Sequence, residues 1–237
     1  MVDSIRLSKR VAETVACSRR EAEQYIEGGW VTVDGVVIEE SGYRVTQQQS
    51  VLLSPDATLV AVDPVTILLH KPAGIDVATA LQRVTPENLY AEDRSGVRFL
   101  KKHTVDLKLV ATLEPDASGL VVYTQNWYIA RKLIEDAAIL EHEYIVEVSG
   151  DLIPDGLALL NHGLTFNRQA LPPIKVSWQN ETRLRFALKG VQPGQIAHMC
   201  EMVGLKIVGL KRIRIARMPM ASLPVGQWRY LKGHERF

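Results

Sequence analysis

Cysteine is scarce in this chain. Its 237 residues hold two, Cys17 and Cys200. Their separation excludes a disulfide framework, a Cys-x-x-Cys redox pair and a thiolate zinc site. They read as two small buried hydrophobes in a reducing compartment. The six histidines, His70, His103, His142, His162, His198 and His234, never recur at i+3 or i+4, so no zinc site is expected on a helix. Long apolar runs are also missing. Runs such as Ile67-Leu68-Leu69 and Gly119 to Tyr123 stay far short of the roughly 20 residues of a membrane span. The first ten residues carry Asp3, Arg6, Lys9 and Arg10 and no apolar core of a signal peptide. Internal repeats and low-complexity segments are absent. Gly190-x-x-x-Gly194 lacks the Lys-Ser/Thr ending of a phosphate loop. Ser118-Gly119 lacks the glycine two residues before the serine that a nucleophile elbow requires. The expectation is a soluble, cytoplasmic monomer with no cofactor, no metal and no membrane partner.

A large excess of one charge is missing too, since the net charge is +1. The distribution is less even. Arg6 to Arg20 holds Arg6, Lys9, Arg10, Arg19 and Arg20 against Glu13 alone. Lys206 to Arg217 holds Lys206, Lys211, Arg212, Arg214 and Arg217 and no acidic residue. Clusters of this kind fit faces that dock on phosphates, although solvated helix and strand faces look the same by charge alone.

What is present is enough apolar material, 46% of residues, for a real core. Residues 4–53 read as a compact unit. Ser8 is placed to cap a helix through Val15. Ser18-Arg19-Arg20-Glu21 is a capping box opening a second helix. In that helix Ala22, Tyr25 and Ile26 share a face, and Gly28-Gly29 stops it. Val31-Thr32-Val33, the turn signal Asp34-Gly35 and Val36-Val37-Ile38 form a hairpin, and Val51-Leu52-Leu53 supplies another strand. Residues 55–64 read as an exposed linker bounded by prolines. From 65 to 237 the texture is a longer α+β pattern. Strands are expected at Ile67–Leu69, Leu120–Thr124, Tyr144–Val148 and Leu184–Leu188. Helices are expected after Asn126, over Pro154–Leu160, and over Gln195–Val203, the last ended by Gly204.

An ordered series of segments carries a more specific signal. Arg6-Leu7-Ser8-Lys9, then Cys17 to Ala22, then Ile26 to Gly35 resembles the S-four RNA-binding domain. His70-Lys71-Pro72-Ala73-Gly74, Leu113-Glu114-Pro115-Asp116-Ala117-Ser118-Gly119-Leu120, His142 to Val146, Gln195 through Gly204, Leu210 to Ile215 and Leu223 to Arg229 follow in the order and spacing of RNA pseudouridine synthases of the RsuA/RluF type. The resemblance spans nearly the whole chain. It implies an S-four-type domain over residues 1–54, a linker over 55–64, and a synthase-type α+β domain over 65–237 with a mostly antiparallel central sheet. It implies structured RNA as the partner, ribosomal RNA being the expected class. The expected RNA-binding residues are Arg6, Lys9, Arg10, Arg19, Arg20, Lys211, Arg212 and Arg214, because guanidinium forks suit phosphates.

The family breaks the N-glycosidic bond of a uridine, turns the uracil and joins C5 to the sugar. The resemblance puts Glu114 where the family's catalytic aspartate stands, Tyr144 against the target base, and Lys71 nearby. It puts Thr112 where an arginine helps hold the place of the flipped-out nucleotide. Ala197 stands where a helix arginine pairs with the catalytic carboxylate, His198 stands at its basic neighbour, and Pro193-Gly194 replaces an Asn-Arg. A carboxylate in an apolar cleft needs opposite charge to stay ionised. Two readings therefore stand side by side: an isomerase with an unusual site, and an RNA-binding relative that has lost the chemistry. Glu114, Tyr144, Lys71 and the Gln195-Ala197-His198 face are expected to converge on one groove, with Glu114 lacking a basic partner.

Overall fold

The computed structural model describes residues 4–237. The chain divides into two compact units. The first comprises the residues up to Pro64 together with Arg98–Asp106, and the second comprises Val65–Val97 with Leu107–Phe237.

In the first unit β1 (Ser4–Arg6) runs directly into α1 (Leu7–Val15). Then come α2 (Arg19–Glu27), β2 (Val31–Val33), β3 (Val36–Val37), β4 (Arg44–Thr46) and β5 (Val51–Leu53). The Ser18 hydroxyl accepts from the Glu21 N–H, and the Glu21 carboxylate accepts from the Ser18 N–H at 2.7 Å, so two orphan donors are satisfied reciprocally. Asp34 and Gly35 both take positive φ, 50° and 82°, which turns β2 into β3 with the twist a tight hairpin needs. Leu7, Val11, Ala22, Ile26, Val31, Val33 and Val45 form the core.

Ser8 is not the cap of α1. The helix begins one residue earlier, and the Ser8 side chain is buried with its hydroxyl unpartnered among the described residues. Because β1 leads straight into the helix, the first-turn N–H of Leu7 finds the Tyr43 carbonyl instead, at 2.7 Å. Arg98–Asp106 is a second departure, since the sequence pattern places everything beyond 65 in the larger domain. Here the Arg98 guanidinium lies 4.2 Å from the centre of the Trp30 ring and donates to the Gly28 carbonyl, while the Lys101 N–H donates to Glu39 at 2.6 Å.

The second unit is built on one mixed sheet. In chain order it has β6 (Thr66–Lys71), α3 (Val77–Leu81), β7 (Lys108–Leu109), β8 (Ser118–Thr124), α4 (Trp127–Glu135), β9 (Glu141–Gly150) and α5 (Gly156–Asn161). A small hairpin follows, β10 (Thr165–Phe166) and β11 (Gln169–Ala170). Then come β12 (Lys175–Asn180), β13 (Arg183–Lys189), α6 (Gln195–Met202), β14 (Leu205–Ile215), β15 (Met218–Pro219) and β16 (Trp228–Tyr230). Nine strands join in the order β12-β13-β9-β14-β8-β6-β16, with β15 on β14 and β7 on β8. Every pairing is antiparallel except β14 with β8, so the mostly antiparallel sheet is as expected. Tyr144, Val146 and Val148 alternate along β9 and pack with Leu184, Phe186, Ile196 and Met199. Leu68, Leu120 and Val122 pack instead with Ala130 and Leu133 of α4.

The parallel joint is tight. Gly119 pairs with Arg212, adopts φ +117°, and a Cβ there would overlap the Arg212 backbone. Gly119→Ala is expected to cost at least about 2 kcal/mol, from backbone strain plus overpacking. Urea denaturation measures it, and a change under about 0.5 kcal/mol would contradict the close approach.

Candidate functional site

The segment Ala111–Pro115 enters β8 and is held at both ends by a buried cation. Arg212 of β14 is almost fully buried; its Nε donates to the Leu120 carbonyl at 2.8 Å, Nη1 to Thr112 at 2.8 Å and Nη2 to Ala111 at 3.2 Å. Lys71, at the end of β6, is fully buried. Its Nζ donates to the carbonyls of Pro72 at 2.9 Å, Ile75 at 2.6 Å and Pro115 at 2.8 Å. An ammonium has three protons, and all three are used. Burial pulls the Lys71 pKa down, and Asp116 and Asp76 oppose that shift. Burial lowers the Arg212 pKa too, against the interaction with Tyr144.

Between these anchors Glu114 projects toward α6. Its Oε1 accepts from the N–H of Gly194, the residue that opens that helix, at 2.6 Å. Gly194 takes φ 74°, which turns its N–H onto the carboxylate. No lysine, arginine or histidine forms an ion pair with Glu114 among the described residues. The partial positive charge of the α6 N-terminus therefore faces this carboxylate. Glu114 lines a cavity of about 340 Å³ with Thr112, Tyr144, Gln192, Ala197 and Leu210. That is at the lower end of the ~300–1,000 Å³ range of small-molecule sites.

Glu114, Tyr144 and Ala197 thus converge as expected. Lys71 does not: its ammonium is spent on the backbone, so it positions the segment and presents no charge to the groove. Gln195 and His198 are also turned away. The Gln195 Oε1 accepts from the Gln192 N–H at 3.0 Å, and His198 pairs with the Thr165 carbonyl at 3.1 Å and lies against the Phe166 ring. Behind Tyr144, the His142 Nδ1 is buried without a partner among the described residues. Burial first, then Arg212 and Arg214, pull its pKa down to about 3.

The basic clusters separate in space. Arg6, Lys9 and Arg19 line a groove of about 420 Å³ in the first unit, joined by Arg44, which the sequence pattern does not single out. Arg44 arrives there through the long-range pairing of β4 with β1, so no local signal marks it. Arg10 is half-buried, and Arg20 faces a different hollow with Glu23, Glu27 and Lys102. The second cluster is not a phosphate-facing strip. Arg212 is internal. Arg214 is paired to Glu141 at 2.5 Å and Glu143 at 2.7 Å. Lys211 sits half-buried beside Glu147 and Arg183. Cys17 is only half-buried, unlike Cys200. Among the described residues no group of His, Cys, Asp and Glu is arranged to hold a metal, and no helix is long and apolar enough to cross a membrane.

The S4 domain family matches residues 5–51. The chain is 27% identical over 236 residues, 98% of its length and 77% of the relative's, to the dual-specificity RNA pseudouridine synthase RluF of Escherichia coli. It is 27% identical over 240 residues, 97% of its length and 93% of the relative's, to the ribosomal large subunit pseudouridine synthase B of Bacillus subtilis. Among solved structures, a pseudouridylate synthase matches with a TM-score of 0.58, covering 96% of both chains at 19% identity, which is a likeness of fold.

Two outcomes follow from this geometry. Lys71→Met leaves three carbonyls without their donor and is expected to cost about 3 kcal/mol or more in urea denaturation. A loss below about 1 kcal/mol would show the clamp to be dispensable. The His142 pKa, about 3 in the fold against ~6.5 in the unfolded chain, makes the unfolded state bind more protons as pH falls below about 6.5. Stability should therefore drop between about pH 6.5 and 5, before ordinary carboxylates titrate. His142→Gln should flatten that drop by up to about 1.4 kcal/mol per pH unit. An unchanged slope would exclude a neutral, buried imidazole.

Proposed function

Because this chain belongs to the RluF- and RluB-type family of RNA pseudouridine synthases, we propose that it engages structured RNA, with ribosomal RNA as the expected class, and that its isomerisation chemistry is weakened. The observation that carries the second half is the partner of Glu114, a backbone N–H at the start of α6 and no cation. The residues that shape a groove are present: Tyr144 and Glu114 in its lining, and a segment fixed by Arg212 and Lys71. The groove walls at 112 and 197 carry threonine and alanine, neither of which supplies charge. A guanidinium brings a full positive charge and a two-pronged donor to a carboxylate, whereas a helix end supplies one N–H and about half a unit of charge. Glu114 also places its carboxylate one methylene farther out than an aspartate, and displacements of ~1 Å can cost about a hundredfold in rate. The second reading, an RNA-binding relative with no chemistry at all, rests on the same observation taken to its limit.

In the first unit, Arg6, Lys9, Arg19 and Arg44 support the RNA-binding half. Affinity for structured RNA should fall with salt by roughly 0.7–0.9 logarithmic units per phosphate neutralised. Lys9→Ala with Arg19→Ala should weaken binding to all sequences and flatten that slope by roughly 1.4–1.8, the share of two phosphates. A salt-independent affinity would rule the reading out.

The chemistry is read by tritium release, because joining C5 to the sugar expels the C5 hydrogen of uridine to water. With 5-tritiated uridine in ribosomal RNA, release should run far below the ~1 per second of ordinary enzymes. Glu114→Asp alone should not restore it, because the missing cation is a separate defect. Thr112→Arg, Glu114→Asp and Ala197→Arg together should raise release above that of Glu114→Asp alone, since groups acting as a unit are strongly non-additive. Release at about 1 per second or faster by the unaltered chain would overturn weakened catalysis. Complete absence of release with RNA affinity intact would select the non-catalytic reading.

A further inference from the structure

A second concave surface lies in the larger unit, where α4 meets the segment following β16. It encloses about 610 Å³. Its floor is apolar, from Ile129, Leu231 and Phe237, and its rim carries Lys132, Arg217 and Arg236. None of these three cations has an ion pair among the described residues. The carboxylate in the lining, Glu235, is already committed: it takes two bonds from Arg229, at 2.7 and 2.9 Å, and one from the Lys232 N–H at 2.8 Å. The surface therefore keeps a positive excess that no ion pair among the described residues neutralises.

At its edge stands Tyr128, 77% exposed. A tyrosine that open contributes little to the fold, and α4 buries Ala130 and Leu133 on its other side. The ring is not loose, however. Trp127 meets it edge-on with 5.2 Å between ring centres, and Arg131 covers Trp127 at 5.3 Å while pairing with Glu135. The Asn126 side chain caps the helix start through the N–H groups of Tyr128 and Ile129, which fixes the backbone carrying the ring. An aromatic platform held open to solvent beside unpaired lysine and arginine is the arrangement that binds single-stranded nucleic acid. The ring stacks on a base, and the cations track the phosphates.

We infer that this surface is a second RNA-binding site, distinct from the Glu114 groove and from the basic groove of the first unit. It takes a single-stranded stretch with one base on Tyr128 and the flanking phosphates on Lys132, Arg217 and Arg236. The inference rests on the reading of the protein as an RNA binder. An acidic protein or an anionic membrane would be drawn by the same cations, but neither calls for a propped aromatic ring beside them.

The test uses the full chain and two fluorescein-labelled probes, a twelve-nucleotide oligouridylate and an abasic strand of the same length, with fluorescence anisotropy as the readout. Tyr128→Ala should weaken oligouridylate binding about tenfold and leave the abasic strand nearly unaffected, because only stacking is removed. Lys132→Ala with Arg217→Ala should weaken both probes and lower the salt slope by about 0.7 for each phosphate no longer neutralised. All three residues are exposed, and unchanged thermal melting of each variant establishes that folding is intact. A 4-thiouridine version of the oligomer should crosslink to the peptide containing Tyr128. If these variants bind like the parent while Arg6→Ala with Lys9→Ala and Arg19→Ala abolishes binding, the second site is refuted and the RNA-binding reading stands. If the parent chain binds neither probe nor structured RNA, both fall. If the variants lose binding only to phosphatidylserine vesicles, the occupant is a membrane and the inference is overturned.

Discussion

The site depends on two cations that never meet solvent. Lys71 and Arg212 are buried, and each is matched to the backbone by three carbonyls. A lone charge in a protein interior costs several kcal/mol, and it persists only where dipoles or counter-charges surround it. Here the carbonyls are those of the segment that carries Glu114, of the loop after β6 and, at Leu120, of β8 itself. Removing either cation would leave the interior with orphaned acceptors in addition to a void. The same Arg212 sits at the parallel joint of β14 with β8, where only a glycine at 119 lets the backbones approach. Strand order, segment conformation and groove shape are thus tied to one side chain.

This arrangement explains how the groove tolerates a range of side chains. The clamp reads main-chain carbonyls and is indifferent to the side chains at 112 and 114. Threonine and glutamate can occupy those positions without disturbing the path of the chain. The fold is therefore insensitive to the side chains at these positions, and a family-like cleft by itself is no measure of catalytic power.

Much of the fold is legible in the sequence because its signals are local. The Ser18 capping box, the Asp34-Gly35 turn, the Asn126 cap and the Gly204 stop each act within four residues. Alternation along β9 gives the burial of Tyr144, Val146 and Val148. The departures share a different cause. Along β14 the period of two is broken by irregularities between Ile207 and Gly209 and between Arg212 and Arg214. A run of basic residues there cannot be assigned to a face from its spacing, and a buried clamp and an ion-paired arginine pass for a phosphate-binding strip. Lys71 looks available because its acceptors lie at Pro72, Ile75 and Pro115, and the last of these is 44 residues away. Arg98 and Arg44 belong to the first unit through partners far along the chain. Ser8 has the right residue type for a cap, but the backbone that precedes β4 takes the role through the Tyr43 carbonyl.

The bond from Glu114 to Gly194 joins a side chain to the backbone of a helix start. A guanidinium on a flexible stem follows a carboxylate as it moves and strengthens its hold as charge develops. A backbone N–H at the start of α6 cannot move without moving the helix. Its donor is neutral, and the helix end behind it carries only about half a unit of charge. The bond therefore fastens α6 to the clamped segment. With α6 packed through Ile196, Met199 and Cys200 into the core beneath Tyr144, that fastening closes one wall of the groove. The Glu114 bond thus ties the clamped segment that carries Thr112 to the helix that carries Ala197, two residues that line the same groove.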